Sequence, residues 1–361
     1  MDYRRVLHVM WSSNQGGIAR LVLNLCAYQN QYFGWKAETL VCKKDGGLKA
    51  EFIKTGIGIH ELELHSGADL NPAKVLRCLR LMRLYDIIHL HIFHPAIFLS
   101  AMLSNKKIIF TEHGNFGLGR NTGLSGHLVR KIKTKLLNQP KVYITCNSKF
   151  TAGTLSRFNH IPREKITVVY NGIPDKVIEP GLIKFRKKQD EFLVVSIGRL
   201  ARVKRFDRVI EAFKNADLDN SRLLIMGDGP ESDVLKNKAL QFPDGPPVEF
   251  IGSGNSLDLL QEADLCILGS QGEAFGLVAV EAYQAGKRVL VFEDGGGVTE
   301  IISGLDPDAI CIDINSLSEQ IRFTKESDRF LHPEWVLKAK GHAAEFSMKK
   351  MAEAFNRLYH S

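Results

Sequence analysis

The segment EFLVVSIGRLARVKRFDRVIEAF, Glu191 to Phe213, opens on a short apolar run, passes through a basic loop holding Gly198, and ends with apolar residues at helical spacing. A buried strand, a polar turn and an amphipathic helix in that order make one βα unit. The same order stands near the start of the chain, where RRVLHVM leads through WSSNQGG into IARLVLNLCAYQ, with Ile18, Leu21, Val22 and Leu25 on one helical face. Between the two units lie apolar runs at AETLVC, DIIHLHIF, KKIIFTEHG and KVYITCNS, separated by helical stretches such as PAKVLRCLRLMRLY. Beyond Phe213 the pattern continues through SRLLIMGDGP, VEFIGS, DLCILGS, RVLVFED and AICIDI. Strands alternating with helices predict parallel, doubly wound sheets. The restart at Glu191 predicts two of them, and 361 residues exceed the size at which one core keeps growing.

The expected fold class is therefore α/β, with two Rossmann-like domains and a deep cleft between them facing the carboxyl ends of both sheets. The boundary falls in TVVYNGIPDKVIEPGLIKFRKKQD, where glycine, two prolines and a charge run break the periodicity. That gives a first domain over 1–175 and a second over 176–344, with a last helix over about 345–361 that is a candidate to pack back on the first.

Composition narrows the class of protein. At 44% hydrophobic and 24% charged, without repeats or low-complexity tracts, the chain is expected to be folded throughout. No apolar run reaches the ~20 residues of a membrane span, and the N-terminus lacks a small-residue cleavage site. Six cysteines scattered singly, with no C-x-x-C pair, suit reduced thiols in the cytoplasm. Charge is uneven: residues 1–172 hold 24 Lys+Arg against 10 Asp+Glu (+14) and the remainder 24 against 30 (−6), which sum to +8. A basic first half suits an anionic partner such as a phosphorylated substrate, a phospholipid surface or nucleic acid.

GEAFGLVAVEAYQAG, Gly272 to Gly286, carries the chemistry. It follows the strand-like DLCILGS as a loop and then a helix closed by glycine, placing Glu273 in the loop and Glu281 in the helix. First-turn amides of Phe275, Gly276, Leu277 and Val278, with the positive helix end, form a place for phosphate. Glu281, one turn further in, could accept hydrogen bonds from a ribose diol, and Glu273 from another polyol. Arg199 and Lys204 follow the first strand of the second domain toward the same sheet edge. Two fixed cations and a helix N-terminus can stabilise a departing diphosphate without a metal.

With these residues in hand, the chain resembles the retaining GT-B-fold glycosyltransferases of family 4 over nearly its whole length. The likeness rests on Gly16-Gly17 in NQGGIARLV, His113 in FTEHG, YNGI at Tyr170 to Ile173, GRLARVKRFDRVIEAF, GDGPE, FIGS and above all the Glu-x7-Glu of EAFGLVAVE. The resemblance implies a nucleotide-sugar donor lying mostly on the second domain, with Arg199 and Lys204 on the diphosphate, Glu281 on the ribose and Glu273 on the donor sugar. It further implies that the Gly17 backbone touches the phosphates and that His113 lies beside the transferred sugar. The catalytic candidates are thus Arg199, Lys204, Glu273 and His113; the donor-binding candidates are Gly16, Gly17, Phe275, Gly276, Leu277, Val278 and Glu281. Where the family often has Gly-x-Pro-Val, this chain has GKRVL, and the Gly-rich EDGGGVTEII that follows marks the departure as structural.

The implied activity is transfer of a hexose-type sugar from a UDP- or GDP-sugar to a saccharide or lipid-linked acceptor, in bacterial surface-polysaccharide biosynthesis. No cofactor or metal is expected, the nucleotide sugar being a substrate. His89, His91 and His94 in HLHIFH could suggest a metal, but an apolar strand without cysteines or paired carboxylates favours packing and strand-end contacts. Asp217 in DLD and Asp306 in DPD resemble metal-binding Asp-x-Asp, yet sit where caps and turns are expected. HLVRKIKTKLLNQPK places Leu128, Val129, Ile132 and Leu136 on one helical side and Arg130, Lys131, Lys133 and Lys135 largely around the other. That leaves two readings, a solvated helix or peripheral attachment to anionic lipid at the inner face of the plasma membrane. The alternatives are another GT-B enzyme, such as a sugar-nucleotide epimerase or phosphorylase, and a basic nucleic-acid-binding protein. The last lacks any recognition motif, so no nucleic-acid partner is expected.

Overall fold

The structure, a computed structural model, describes residues 4–14, 16–43, 46–65, 69–114, 124–174, 187–242 and 245–361. Half of the charged linker segment, at 175–186, and residues 115–123 of NFGLGRNTGLSG lie outside the described residues. Contacts divide the chain into one unit of Met1–Pro174 with Met348–Ser361 and another of Asp175–Ser347.

The first unit is built on seven parallel strands: β1 (Arg4–Met10), β2 (Trp35–Val41), β3 (Ile59–Glu61), β4 (Ile87–Leu90), β5 (Lys107–Glu112), β6 (Val142–Cys146) and β7 (Ile166–Val168). They lie in the order β3-β2-β1-β4-β5-β6-β7. Side chains alternate between two cores, as the period of two requires. Leu7, Val9, Ile88, Leu90 and Phe110 enter one, whereas Val6, Met10, Ile87 and Ile109 enter the other. The second core is closed by the helix Met348–His360, whose Met351, Phe355 and Tyr359 are buried against it. Trp35 fixes that helix by donating Nε1–H to Asn356 Oδ1 at 2.8 Å and by edge-to-face contact with Tyr359.

The second unit holds β8 (Phe192–Ile197), β9 (Ser221–Met226), β10 (Val248–Phe250), β11 (Leu265–Leu268), β12 (Arg288–Phe292) and β13 (Ile310–Cys311). These too are parallel, ordered β10-β9-β8-β11-β12-β13. Every residue of β8, β9, β11 and β12 is buried, which is why their sequences read as continuous apolar runs rather than alternating ones. In each sheet the chain leaves a central strand in one direction and returns to build the other side, so a switch point lies between β1 and β4 and another between β8 and β11. At such points the outgoing loops diverge and leave a crevice at the carboxyl ends of the strands.

Arg288 stands in GKRVL, the stretch set against Gly-x-Pro-Val above. It opens β12, is 1% exposed, and donates from Nε to Asp306 Oδ2 at 2.8 Å. Its remaining nitrogens donate to Thr324 Oγ1 and Gln320 Oε1, and the guanidinium lies 4.2 Å from the Phe330 ring centroid. Asp306, the first residue of DPD, is thereby committed to the fold, and Asp217 of DLD is the left-handed C-cap of the helix Phe206–Ala216. All six cysteines are buried free thiols, and no helix among the described residues is long and apolar enough to cross a membrane.

Candidate active site

In the second unit, the loops leaving β8 and β11 carry the predicted residues to the two sides of the switch point. The β8 loop is held by backbone contact with the turn after β9: Gly198 N–H donates to Met226 O, Leu200 N–H to Asp228 O, and Glu231 N–H to Leu200 O. A Cβ at Gly227 would lie 1.9 Å from Gly198 O, and one at Gly229 2.3 Å from Leu200 O. The glycines of GDGPE therefore let the Arg199 loop lie directly on the neighbouring turn. Arg199 is exposed there and makes no ion pair among the described residues.

A short 3-10 turn over Arg202–Lys204 follows, and Arg205, in the left-handed region, caps the helix Phe206–Ala216. Adjacent basic residues then part company. Arg205 turns back to chelate Asp207, while Lys204 Nζ donates to Glu273 Oε2 across the switch point. Glu273 is itself positioned through its backbone: its N–H donates to Gly295 O at 2.8 Å and its carbonyl accepts from Gly297 N–H at 2.6 Å. Gln271 N–H also donates to Val203 O at 2.9 Å, tying the β11 loop to the β8 loop. Gly296, at φ +77°, passes so close that a Cβ would sit 2.7 Å from Glu273 O, which gives the Gly-rich EDGGG turn its physical reason.

The helix after this loop begins at Leu277, later than the sequence suggests, because Gly276 takes φ +101° as its N-cap. A Cβ at Gly276 would press on Val298. The amides of Leu277 and Val278 have no intrahelical acceptor by the geometry of any α-helix, whereas Ala279 N–H donates to Gly276 O at 3.0 Å. The Phe275 ring is 2% exposed and meets Phe346 edge to face, so the part of Phe275 assigned to the donor from the sequence is its backbone amide. Glu281 lies half-buried on the second turn and accepts from Ser256 Oγ at 2.7 Å. Ser256, the first residue of the helix Ser256–Glu262, was not legible as a site neighbour because nothing in GSGNSLDLL ties it to the glutamate helix.

In the first unit, Gly16 is extended and Gly17 begins the helix Gly17–Tyr32, the first helix after β1. A Cβ at Gly16 would find only Asn14 O, at 3.8 Å, so packing within the unit does not require glycine there. His113 follows β5 and is half-buried, its Nε2 3.0 Å from His91 Nδ1. His8, His89 and His91 are fully buried with ring nitrogens close enough to suggest a metal cluster. Every one of those nitrogens has a protein partner, however. His8 meets His91 and Gln29, His89 meets Tyr359 and Thr111, and His91 meets His8 and His113. Burial lowers the pKa of His8 to about 4. It lowers that of His113 to about 4 as well, against the opposing charge of Glu112, and holds His89 and His91 well below the ordinary imidazole range.

The helix Leu124–Leu137 differs from its sequence pattern. Lys133, expected among the outward charges, turns toward the sheet, where Nζ donates to Glu112 Oε2 at 2.6 Å and lies over the Phe110 ring. Leu128 and Val129, expected on the apolar side, are 60% and 41% exposed, next to exposed Arg130 and Lys131. A buried acidic partner at Glu112 outweighs the helical hydrophobic pattern here.

Both units are similar to known proteins. Residues 15–177 match the family described as Glycosyltransferase Family 4, and residues 182–334 the one described as Glycosyl transferases group 1. An uncharacterised glycosyltransferase of Methanocaldococcus jannaschii is 31% identical over 239 residues, 60% of each chain. The N-acetyl-alpha-D-glucosaminyl L-malate synthase of Bacillus anthracis is 26% identical over 298 residues, 76% of this chain and 74% of that one. The chain thus spans about three fifths of the first relative's length and about three quarters of the second's. Among solved structures, Anabaena HepE in complex with UDP and glucose superposes with a TM-score of 0.80 over 99% of both chains at 17% identity, a likeness of fold.

Proposed function

Because the chain belongs to the GT-B-fold glycosyltransferases of family 4, and is a transferase by that membership, we propose that it moves a hexose-type sugar from a UDP- or GDP-sugar to a saccharide or lipid-linked acceptor. The proposed setting is bacterial surface-polysaccharide assembly, and the proposed stereochemical course is retention. The observation that carries this is the pairing of Lys204 with Glu273 beside the Gly276 helix tip, at the switch point between β8 and β11. A cation, a carboxylate and amide donors meet there, which is what a sugar diphosphate requires: positive charge for the leaving group and an acceptor for sugar hydroxyls.

Arg199 and Lys204 hold the diphosphate, Glu273 binds the donor sugar, and Glu281, aligned by Ser256, binds the ribose. Charge stabilisation by these groups stands in for a divalent metal. The leaving phosphate takes the acceptor's proton as attack and departure proceed on one face, so orientation and electrostatics supply the rate. The HepE structure with UDP and glucose supports a nucleotide-sugar donor, though that ligand belongs to HepE.

The test is a panel of UDP- and GDP-sugars with oligosaccharide and lipid-linked acceptors, run in excess EDTA and followed by nucleoside diphosphate release and the anomeric configuration of the product. Acceptor-dependent release with the donor's configuration kept is expected. Isomerisation of the free donor would identify an epimerase instead, and loss of activity in EDTA would remove the metal-free step.

The exposed Leu128 and Val129 flanked by Arg130 and Lys131 support a second element of this function, peripheral attachment of the first unit to an anionic membrane surface. Co-sedimentation with vesicles should rise with their anionic lipid content and fall several-fold in the double variant Arg130→Glu, Lys131→Glu. Binding indifferent to lipid charge would remove the attachment.

A further inference from the structure

Beneath the first sheet's carboxyl edge runs a hydrogen-bonded series of eight side chains that the catalytic proposal leaves unused: Thr145, Thr111, His89, Tyr359, Gln29, His8, His91 and His113. All but the last are buried. It joins residues as distant in sequence as Gln29 and Tyr359, the latter brought in by the C-terminal helix. We propose that this series fixes His113 as the Nε2–H tautomer, making Gln29, Tyr359 and Thr145 positioning residues for a ring nitrogen, Nδ1, that accepts a hydrogen bond. The proposal rests on the transferase reading for the use of His113, but not for the tautomer itself.

The direction follows from one fixed end. Thr145 Oγ1 donates to the Phe110 carbonyl at 3.3 Å, so its oxygen is left to accept from Thr111 at 2.6 Å. Thr111, having given its hydrogen, accepts from His89 Nε2 at 2.7 Å. A neutral imidazole has one N–H and one lone pair, so His89 Nδ1 accepts from the Tyr359 hydroxyl at 2.7 Å. Tyr359 in turn accepts from the Gln29 amide nitrogen at 3.2 Å, which turns Gln29 Oε1 toward His8 Nε2 at 2.9 Å. His8 Nε2 therefore carries the proton. Its Nδ1 accepts from His91 Nε2 at 2.9 Å, and His91 Nδ1 accepts from His113 Nε2 at 3.0 Å.

Reversing His113 alone would set two lone pairs or two N–H groups face to face. Reversing the whole series would require Gln29 to flip and Thr145 to abandon the carbonyl. One buried hydrogen bond at the far end thus biases a ring seven hydrogen bonds away, by about fivefold in population. The biological use is recognition: a nitrogen held as an acceptor makes a sugar hydroxyl the donor of their hydrogen bond, whereas an N–H at that place would make the hydroxyl oxygen the acceptor.

The test is the tautomer of His113 in the full chain at neutral pH, read from ring ¹⁵N shifts and proton–nitrogen couplings without any donor present. Wild-type protein should show the Nε2–H form in excess by about fivefold over the ratio of a free neutral histidine side chain. Thr145→Val, which removes the anchor while keeping shape, and Tyr359→Phe, which uncouples the two halves, should each bring the ratio close to that of the free side chain. Gln29→Glu, whose carboxylate still accepts from His8, should keep the Nε2–H form. An Nδ1–H form in the wild type, or a tautomer unmoved in both Thr145→Val and Tyr359→Phe, would overturn the proposal. Because the readout precedes catalysis, a chain that transfers no sugar can still show the fixed tautomer, and an active transferase can still lack it.

Discussion

Replacing Lys204 by alanine is expected to lower turnover by about 10²–10³-fold at saturating donor, the loss typical of removing one transition-state charge donor, while leaving the thermal unfolding of the chain nearly unchanged. Two effects combine. On the proposed reading the variant removes a cation from the leaving diphosphate, and it also strips Glu273 of its ion-pair partner. A bare carboxylate about 5 Å from a diphosphate oxygen repels it by roughly 3 kcal/mol at an effective dielectric constant near 20. Glu273→Gln in the Lys204→Ala background should therefore restore part of donor binding without restoring turnover. Arg205→Ala is the control: its guanidinium is chelated by Asp207 rather than turned to Glu273, so its loss should change turnover by only a few-fold. Steady-state kinetics with nucleoside diphosphate release measure all three. Near-normal turnover in Lys204→Ala, or an equal defect in Arg205→Ala, would remove Lys204 from the site.

The contrast between Lys204 and Arg205 shows where the sequence is legible and where it stops. Burial on both faces makes β8 and β11 readable as apolar runs, and the loops that leave them follow from the same pattern. Which of two neighbouring basic residues crosses to Glu273 depends on Arg205 taking φ +45° at the helix start, and no periodicity reports that. The late start of the glutamate helix has the same origin, in the φ of Gly276. Lys133 departs from its helical pattern because its partner, Glu112, lies at the end of β5, outside the helix whose spacing the pattern reports. The histidine series was half visible: HLHIFH shows His89 and His91 on one face, but Gln29 comes to them from the helix Gly17–Tyr32 and Tyr359 from the returning C-terminal helix. Local spacing carries the strands and the Glu-x7-Glu pattern; tertiary pairing decides which polar atoms meet.

Asp306→Ala is expected to destabilise the second unit by about 3–5 kcal/mol, the cost of leaving one member of a buried ion pair behind. Arg288 and Asp306 are 1% and 2% exposed, so neither charge has water to fall back on. Thr324 and Gln320 would still accept from the guanidinium, but they carry no compensating charge. At about 2–4 °C per kcal/mol for a unit of this size, the unfolding midpoint should fall by roughly 10 °C. The double variant Arg288→Met, Asp306→Leu removes both charges and should recover most of that loss, since well-packed apolar replacements of a buried pair are often neutral or better. Thermal and denaturant unfolding of the full chain would read both variants. If Asp306→Ala cost under about 1 kcal/mol, or the double variant were no better than the single, the pair would not be the buried strut described, and Asp306 would again be open to a role outside the fold.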